Sequence, residues 1–386
     1  MKRLLIAGLV AAAVATRAAG LGEWHLRQSP VTNLTLNAVA YGNGQFVAVG
    51  EGGTILTSPD GSNWISQISG TTQTLSGVIY GSNLFVAVGN VGTTLASSNG
   101  RDWAVHVVPP VPPSPPPDLV AITHGQGLFV AGGIYTSSNG TNWSLTATSV
   151  MYERVSFGNG VFVGVWNIGP PGAPRLYTST NGTNWSSRPW WPDFPMAKSI
   201  TFGAGRFVAV GGDVDLRHYS MITSVSTNGS DWTAQNVIGH TTFLRYVYYC
   251  GDLFFALGYG NVFSTSVDGF GWSTGIFPST PEKRAVAFGA DTYVVVGDKG
   301  TILQSDPSAP PSAEPPRLEI ISALPPRILI QGIAGERLRL EYVDDLDDSS
   351  ANWHEVIEIT LTSAPNSLLD TNGPTTRRFY RAVVLP

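Results

Sequence analysis

A segment of the form aromatic-Gly-x-x-x-Phe-Val-x-Val-Gly occurs at Tyr41–Gly50 and again at Tyr80–Gly89. Looser copies run His124–Gly132, Phe157–Val165, Phe202–Gly211, Cys250–Gly258 and Phe288–Gly297. Seven copies of one pattern restrict a chain to architectures assembled from repeated supersecondary units, because no single unit can bury its own apolar face. A second element, Ser-x-Asp/Asn-Gly-x-x-Trp, follows each of the first six copies. It spans Ser58–Trp64 around Asp60, Ser97–Trp103 around Asn99 and Ser137–Trp143 around Asn139. The later ones are Ser179–Trp185 around Asn181, Ser226–Trp232 around Asn228 and Ser266–Trp272 around Asp268.

The chemistry of this second element is structural. Gly accepts the positive φ of a hairpin turn, and the preceding Asp or Asn side chain caps N–H groups within it. The Trp then opens the next strand and packs on a neighbouring sheet, covering on the order of 200 Å². In the first unit the expected strands are Leu36–Tyr41, Gln45–Gly50, Thr54–Ser58 and Trp64–Ile68. Four short apolar or alternating runs between turns suit an antiparallel sheet, and units of roughly 33 to 47 residues match a propeller blade.

The two ends separate a ring from an open solenoid. The seventh unit has Thr301–Ser305, matching Thr54–Ser58, but then meets proline and has no Trp, whereas Trp24–Ser29 stands spare ahead of the first unit. Pairing the orphan with the gap closes the ring without open sheet edges. The sequence therefore predicts an all-β fold, a seven-bladed β-propeller with an N-terminal strand closing blade seven, followed by a small β-sandwich. Trp24, Trp64, Trp103, Trp143, Trp185, Trp232 and Trp272 supply one bolt per blade. The expected organisation is a leader over 1–20, the propeller over 21–306, a Pro/Ser/Ala linker over 307–316 and the sandwich over 317–386, with strands at 318–322, 327–332, 337–343, 353–361, 367–370 and 378–385.

The Ser-x-Asp/Asn-Gly-x-x-Trp element resembles the Asp-box, or BNR repeat, of sialidases and sortilin-like propellers, one residue shorter than the usual spacing. The tail, with Tyr342, Leu346, Trp353 and Arg378–Ala382, is similar to fibronectin-III-like accessory domains of exported proteins of Verrucomicrobia-type bacteria. The sialidase resemblance would imply three arginines clamping a carboxylate, a Tyr nucleophile with a Glu partner, an acid Asp and an early Arg-Ile-Pro; that tripeptide is absent, and Asp-boxes sit away from the sialidase site. A sialidase-like hydrolase is the enzyme alternative, and an assembly-factor propeller of the kind that helps build photosynthetic complexes is another.

Lys2 and Arg3, the apolar run Leu4–Ala15 and the small residues Ala18 and Ala19 read as a Sec-type bacterial secretory signal. The run is shorter than the roughly 20 residues a membrane-spanning helix needs. The expected location is secreted, periplasmic or cell-surface, with no membrane span. The chain has 22 basic and 27 acidic residues; without Lys2, Arg3 and Arg17, 19 face 27, a net charge of −8 that argues against nucleic acid. The single Cys250, within the apolar Tyr246–Cys250, rules out an internal disulfide and reads as a small buried hydrophobe.

No serine elbow, histidine metal pair or phosphate loop is present, so neither a metal nor a cofactor is expected. His25, His106, His124, His218, His240 and His354 are scattered. The acidic run Asp344, Asp345, Asp347 and Asp348 lacks calcium-loop spacing and reads as a solvated loop. Pro109–Pro117 reads as a stiff polyproline II spacer, and Trp190, Trp191 and Phe194 as cover for the core. Aligning the starts of the innermost strands gives Asn37, Ser76, Val120, Glu153, Lys198, Tyr246 and Arg284, flanked by Arg245 and Lys283. The candidate ligand site is therefore the channel rim at Glu153, Lys198, Arg245, Tyr246, Lys283 and Arg284. The functional expectation is a monomeric, non-enzymatic scaffold recognising a protein or glycan.

Overall fold

The chain is described by a computed structural model covering residues 21, 23–111, 114–146, 152–166, 175–187, 197–212, 221–237, 244–306, 317–323, 326–331, 337–343, 354–360, 366–369 and 379–384. The leader, the linker, Pro112, Pro113, Trp190, Trp191, Phe194, His218, His240, the aspartates of 344–348, Trp353 and Arg378 lie outside these residues. The backbone divides into two compact units, Met1–Ser308 and Ala309–Pro386.

In the first unit the described strands form seven four-stranded antiparallel sheets. The innermost strands are Leu36–Gly42, Leu75–Gly81, Ile122–Gly125, Arg154–Gly158, Ala197–Gly203, Leu244–Cys250 and Lys283–Gly289, numbered here as blades 1 to 7. Each packs beside the innermost strand of the next blade, and the seventh beside the first, so the sheets make a closed ring. Short turns explain why each blade is a meander. Asn43 (φ 45°) and Gly44 (φ 73°) form the kind of two-residue turn, both φ positive, that matches the twist of the flanking strands.

Blade 7 is completed from the other end of the chain. Trp24–Leu26 pairs antiparallel with Ile302–Ser305 in the register Trp24 to Ser305, His25 to Gln304 and Leu26 to Leu303. The Arg27 N–H continues the ladder to the Ile302 carbonyl at 2.9 Å.

The core lies between blades. Trp64 of blade 1 packs with Val294 and Val296 of blade 7, Trp143 of blade 3 with Val86 and Val88 of blade 2, and Trp24 with Phe255 and Phe263 of blade 6. The turn that carries each Trp fixes this docking. In blade 1 the Gly61 N–H donates to Ser58 Oγ at 2.8 Å, the Ser62 N–H to Asp60 Oδ1 at 2.9 Å, and Trp64 Nε1–H to the Gly61 carbonyl at 2.9 Å. Gly61 has φ 80°, and a Cβ there would stand 2.7 Å from Val294 Cγ2, so only glycine lets the turn seat on the preceding blade. The strand proper begins one residue after the Trp, at Ile65. Asn99, Asn139, Asn181, Asn228 and Asp268 accept the equivalent backbone N–H bonds in the other turns.

Aromatic side chains from the innermost strands interlock around the ring. Tyr80 rests on Gly42, His124 on Gly81, Phe157 on Gly125, Phe202 on Gly158 and Tyr249 on Gly203. The sixth copy of the repeat therefore starts at Tyr249, with Cys250 in the usual glycine place, and Phe288 rests on Gly251 instead. Cys250 is half-buried and lines the channel wall, not fully buried as its apolar run suggests, and its apolar surroundings push the thiol up to about 12, which keeps it protonated.

The second unit contains two three-stranded antiparallel sheets among the described residues. One orders Arg317–Ala323, Pro326–Gln331 and Asn366–Leu369; the other orders His354–Thr360, Arg337–Val343 and Phe379–Val384. Among the described residues no helix is long and apolar enough to cross a membrane.

Candidate functional site

The innermost strands enclose a cavity of about 790 Å³. Its wall is built by a register device. In blade 1 Leu36 pairs with Gly50 but Ala38 with Val49, leaving Asn37 as the extra residue of a β-bulge. The same bulge falls on Ser76, Lys198, Arg245 and Arg284 in blades 2, 5, 6 and 7. A bulge re-aims the side chain at its extra residue, and these positions ring the end of the channel where the strands begin.

This register corrects one column position. In blade 6 the bulge residue is Arg245, not Tyr246; Tyr246 pairs with Leu257 and belongs to the next layer down. That layer reads Ala38, Gly77, Ala121, Arg154, Ser199, Tyr246 and Ala285, small residues except for one cation and one aromatic. Glu153 precedes the first strand of blade 4, held by its N–H to the Val165 carbonyl at 2.9 Å, and it is Arg154 that lines the cavity. The Arg154 guanidinium reaches across the small Ser199 of blade 5 to lie 5.5 Å from the Tyr246 ring centre.

Lys283 is not a rim residue. It occupies the position that is Leu36 in blade 1 and Leu244 in blade 6, and it is 1% exposed. Its Nζ donates to Asn261 Oδ1 at 2.6 Å and to the Gly260 and Thr280 carbonyls at 3.2 Å, which makes burial of the amine tolerable. Burial nevertheless pulls its pKa down, against a smaller upward pull from Glu282.

The other cations divide into two kinds. Arg245 faces Glu282 at 3.7 Å and stacks on Tyr259 at 4.9 Å. Arg284 donates to Asp298 Oδ1 at 2.5 Å; burial pulls its pKa down, but Asp298, Tyr246 and Glu51 more than offset it, for a net rise. Arg154 and Lys198 differ: among the described residues neither has a carboxylate within ion-pair distance, and Arg154 donates to the Glu153 carbonyl at 2.7 Å, lies on the Tyr246 ring and interacts electrostatically with Tyr248. Both are half-buried on adjacent blades. On blade 1, across the ring, Asn37 donates to the Leu75 carbonyl at 2.9 Å and Glu51 accepts from the Thr35 N–H at 2.8 Å, while Val120 of blade 3 is exposed. Among the described residues the channel thus has cations without carboxylate partners on blades 4 and 5 and polar groups already occupied on blade 1.

Arg154 escaped the sequence column because that column took one residue per blade at the strand start, Glu153 in blade 4, and Arg154 lies in the next layer down. Its signal was present: a large cation in a layer otherwise small.

No protein-family model matches the chain, and no curated protein matches it in sequence. Solved structures do. YCF48 bound to a D1 peptide shares 17% identity at a TM-score of 0.58, covering 75% of this chain and 97% of its own. YCF48 from Cyanidioschyzon merolae shares 16% at 0.55, covering 74% and 98%. A catalytically inactive virginiamycin B lyase from Staphylococcus aureus with quinupristin shares 9% at 0.59, covering 73% and 99%. At these identities the likeness is one of fold, and that fold is the seven-bladed β-propeller.

Proposed function

We propose that the chain is an exported, non-enzymatic scaffold whose channel mouth receives a carboxylate presented by a partner polypeptide. The observation that carries this reading is the pair of cations without a carboxylate partner among the described residues, Arg154 in the cavity wall and Lys198 at the bulge position of the adjacent blade. A half-buried guanidinium without a carboxylate partner gains most from a charge-assisted, two-pronged hydrogen bond to an incoming carboxylate. The net negative charge of the chain opposes a strongly acidic partner at long range, which favours a single carboxylate, such as a chain terminus or one acidic side chain. That a structurally similar propeller carries a bound peptide supports a polypeptide ligand.

Export rests on the leader over 1–20, the Ser-x-Asp/Asn-Gly-x-x-Trp turns on their resemblance to Asp-boxes, and an accessory role for the tail on its fibronectin-III-like pattern.

A second reading is a hydrolase for an acidic sugar. It is favoured by Tyr246, which has Arg154 and Arg245 each 5.5 Å from its ring and Arg284 close enough to interact electrostatically. It ranks second because no carboxylate among the described residues hydrogen-bonds the Tyr246 hydroxyl, and a phenol needs a base to act as nucleophile.

Peptide and glycan arrays probed with the mature protein, beside fluorogenic acidic glycosides, separate the two. The scaffold reading expects capture of peptides carrying a carboxylate and no glycoside turnover. Turnover that disappears in Tyr246→Phe establishes the second reading and removes the first.

A further inference from the structure

The seam of the ring holds a polar cluster unconnected with the channel. Strand alternation turns Trp24 into the core, 7% exposed, and places Glu23 and His25 on the opposite face of the closing strand. Asp306 follows Ser305, the partner of Trp24, and its N–H donates to the Glu23 carbonyl at 3.2 Å. One donor atom each from Glu23, His25 and Asp306 lies within 4.8 Å of the other two, with His25 Nε2 2.6 Å from Asp306 Oδ1. We propose that this triad is a divalent metal site of the Zn²⁺ class that clips the ring shut.

The donor set decides the class of ion. One imidazole and two carboxylates are ordinary Zn²⁺ ligands at about 2.0–2.2 Å, with water free to fill the fourth tetrahedral position. A tetrahedral ion at those distances sets its donors about 3.4 Å apart. The His25–Asp306 pair opens modestly to reach this, and the exposed Glu23 side chain closes by rotation. Calcium takes six to eight oxygens, more than the triad offers, and imidazole favours the softer ion.

Position gives the site its consequence. His25 and Asp306 are 281 residues apart in sequence and meet only when the first strand has completed blade 7. An ion that binds this arrangement and not the opened one stabilises the closed ring by mass action. A plain His25–Asp306 ion pair would also hold the seam, but without any dependence on metal.

The test uses the untagged full chain, stripped with chelator and then given ZnCl2 or CaCl2, followed by thermal melting and hydrogen exchange. Zn²⁺ should raise the melting temperature saturably and Ca²⁺ should not; at about 100 times its Kd it multiplies the folded-to-unfolded ratio about 100-fold. Exchange at the Arg27 N–H, which crosses the seam to Ile302, should slow with Zn²⁺. His25→Ala should abolish both responses, and Glu23→Gln should weaken them at least 10-fold. The site is overturned if wild-type melting and seam exchange ignore Zn²⁺, or if the response survives in His25→Ala.

Discussion

The ring of Tyr41 lies so close against Gly289 that a β-carbon on that glycine would stand 2.1 Å from Tyr41 Cγ. This contact joins blade 1 to blade 7 at the channel wall, as the Trp24 strand joins the two ends of the propeller sequence at the outer edge of blade 7. Gly289→Ala should therefore force one of two packed strands to move, costing about 1–3 kcal/mol as overpacking does. Gly271→Ala, where an added Cβ meets nothing within 4 Å, should stay within about 0.5 kcal/mol. Urea unfolding of both variants checks the contrast.

Trp24 has aromatic contacts with Phe255, Phe263 and Phe277 at ring-centre distances of 6.1, 5.7 and 4.8 Å. Trp24→Ala should cost about 3–5 kcal/mol, the range for deleting a buried aromatic, and should expose Ile302–Ser305 to exchange before the rest of the propeller. Loss below about 1 kcal/mol in denaturant titration would mean that the first strand decorates the ring instead of closing it.

His124 stands where other blades place Tyr or Phe, its ring tilted against Phe129 with centres 4.6 Å apart and hydrogen-bonded to Ser82 Oγ at 2.9 Å. Burial lowers its pKa from the ordinary 6.5. The unfolded chain therefore binds this proton more readily than the folded one, so stability falls as pH drops through 6.5 toward the lower folded value. Melting followed from about pH 7.5 to about pH 5 should show that loss in the wild type. His124→Phe, matching Phe157 and Phe202 in blades 4 and 5, should reduce the slope; an unchanged slope assigns the pH dependence to other groups.

The two kinds of arginine should respond differently to truncation. Arg284→Ala strands Asp298, and should lower stability by about 1–3 kcal/mol, the cost of a charged group left without its partner. Arg154→Gln removes no ion pair among the described residues and should stay within about 0.5 kcal/mol of wild type in thermal melts.

What the sequence displayed well is what repeats. Blade number, the Asp/Asn-Gly turns and the pairing of Trp24 with the end of blade 7 are periodic, and each copy corroborates the others. What it hid is local. A bulge at Arg245 shifts the register by one residue without altering the hydrophobic pattern, so Tyr246 fell into the wrong layer, while Arg154 lies one layer below the strand-start residue Glu153. Lys283 occupies an apolar position because three oxygens from neighbouring loops surround its amine, and those loops converge only in three dimensions. The Glu23, His25 and Asp306 cluster is invisible for the same reason, its members lying at opposite ends of the propeller sequence.

The carboxylate-receiving channel mouth is tested most directly by fluorescence anisotropy of a peptide selected on the array, offered with its carboxylate free and again amidated. The account predicts saturable binding of the free acid, at least 10-fold weaker binding of the amide, and a comparable loss in Arg154→Gln and Lys198→Gln with melting unchanged, since a charged hydrogen bond contributes about 1.5–3 kcal/mol. Equal affinity for acid and amide, or full affinity in both variants, would contradict it.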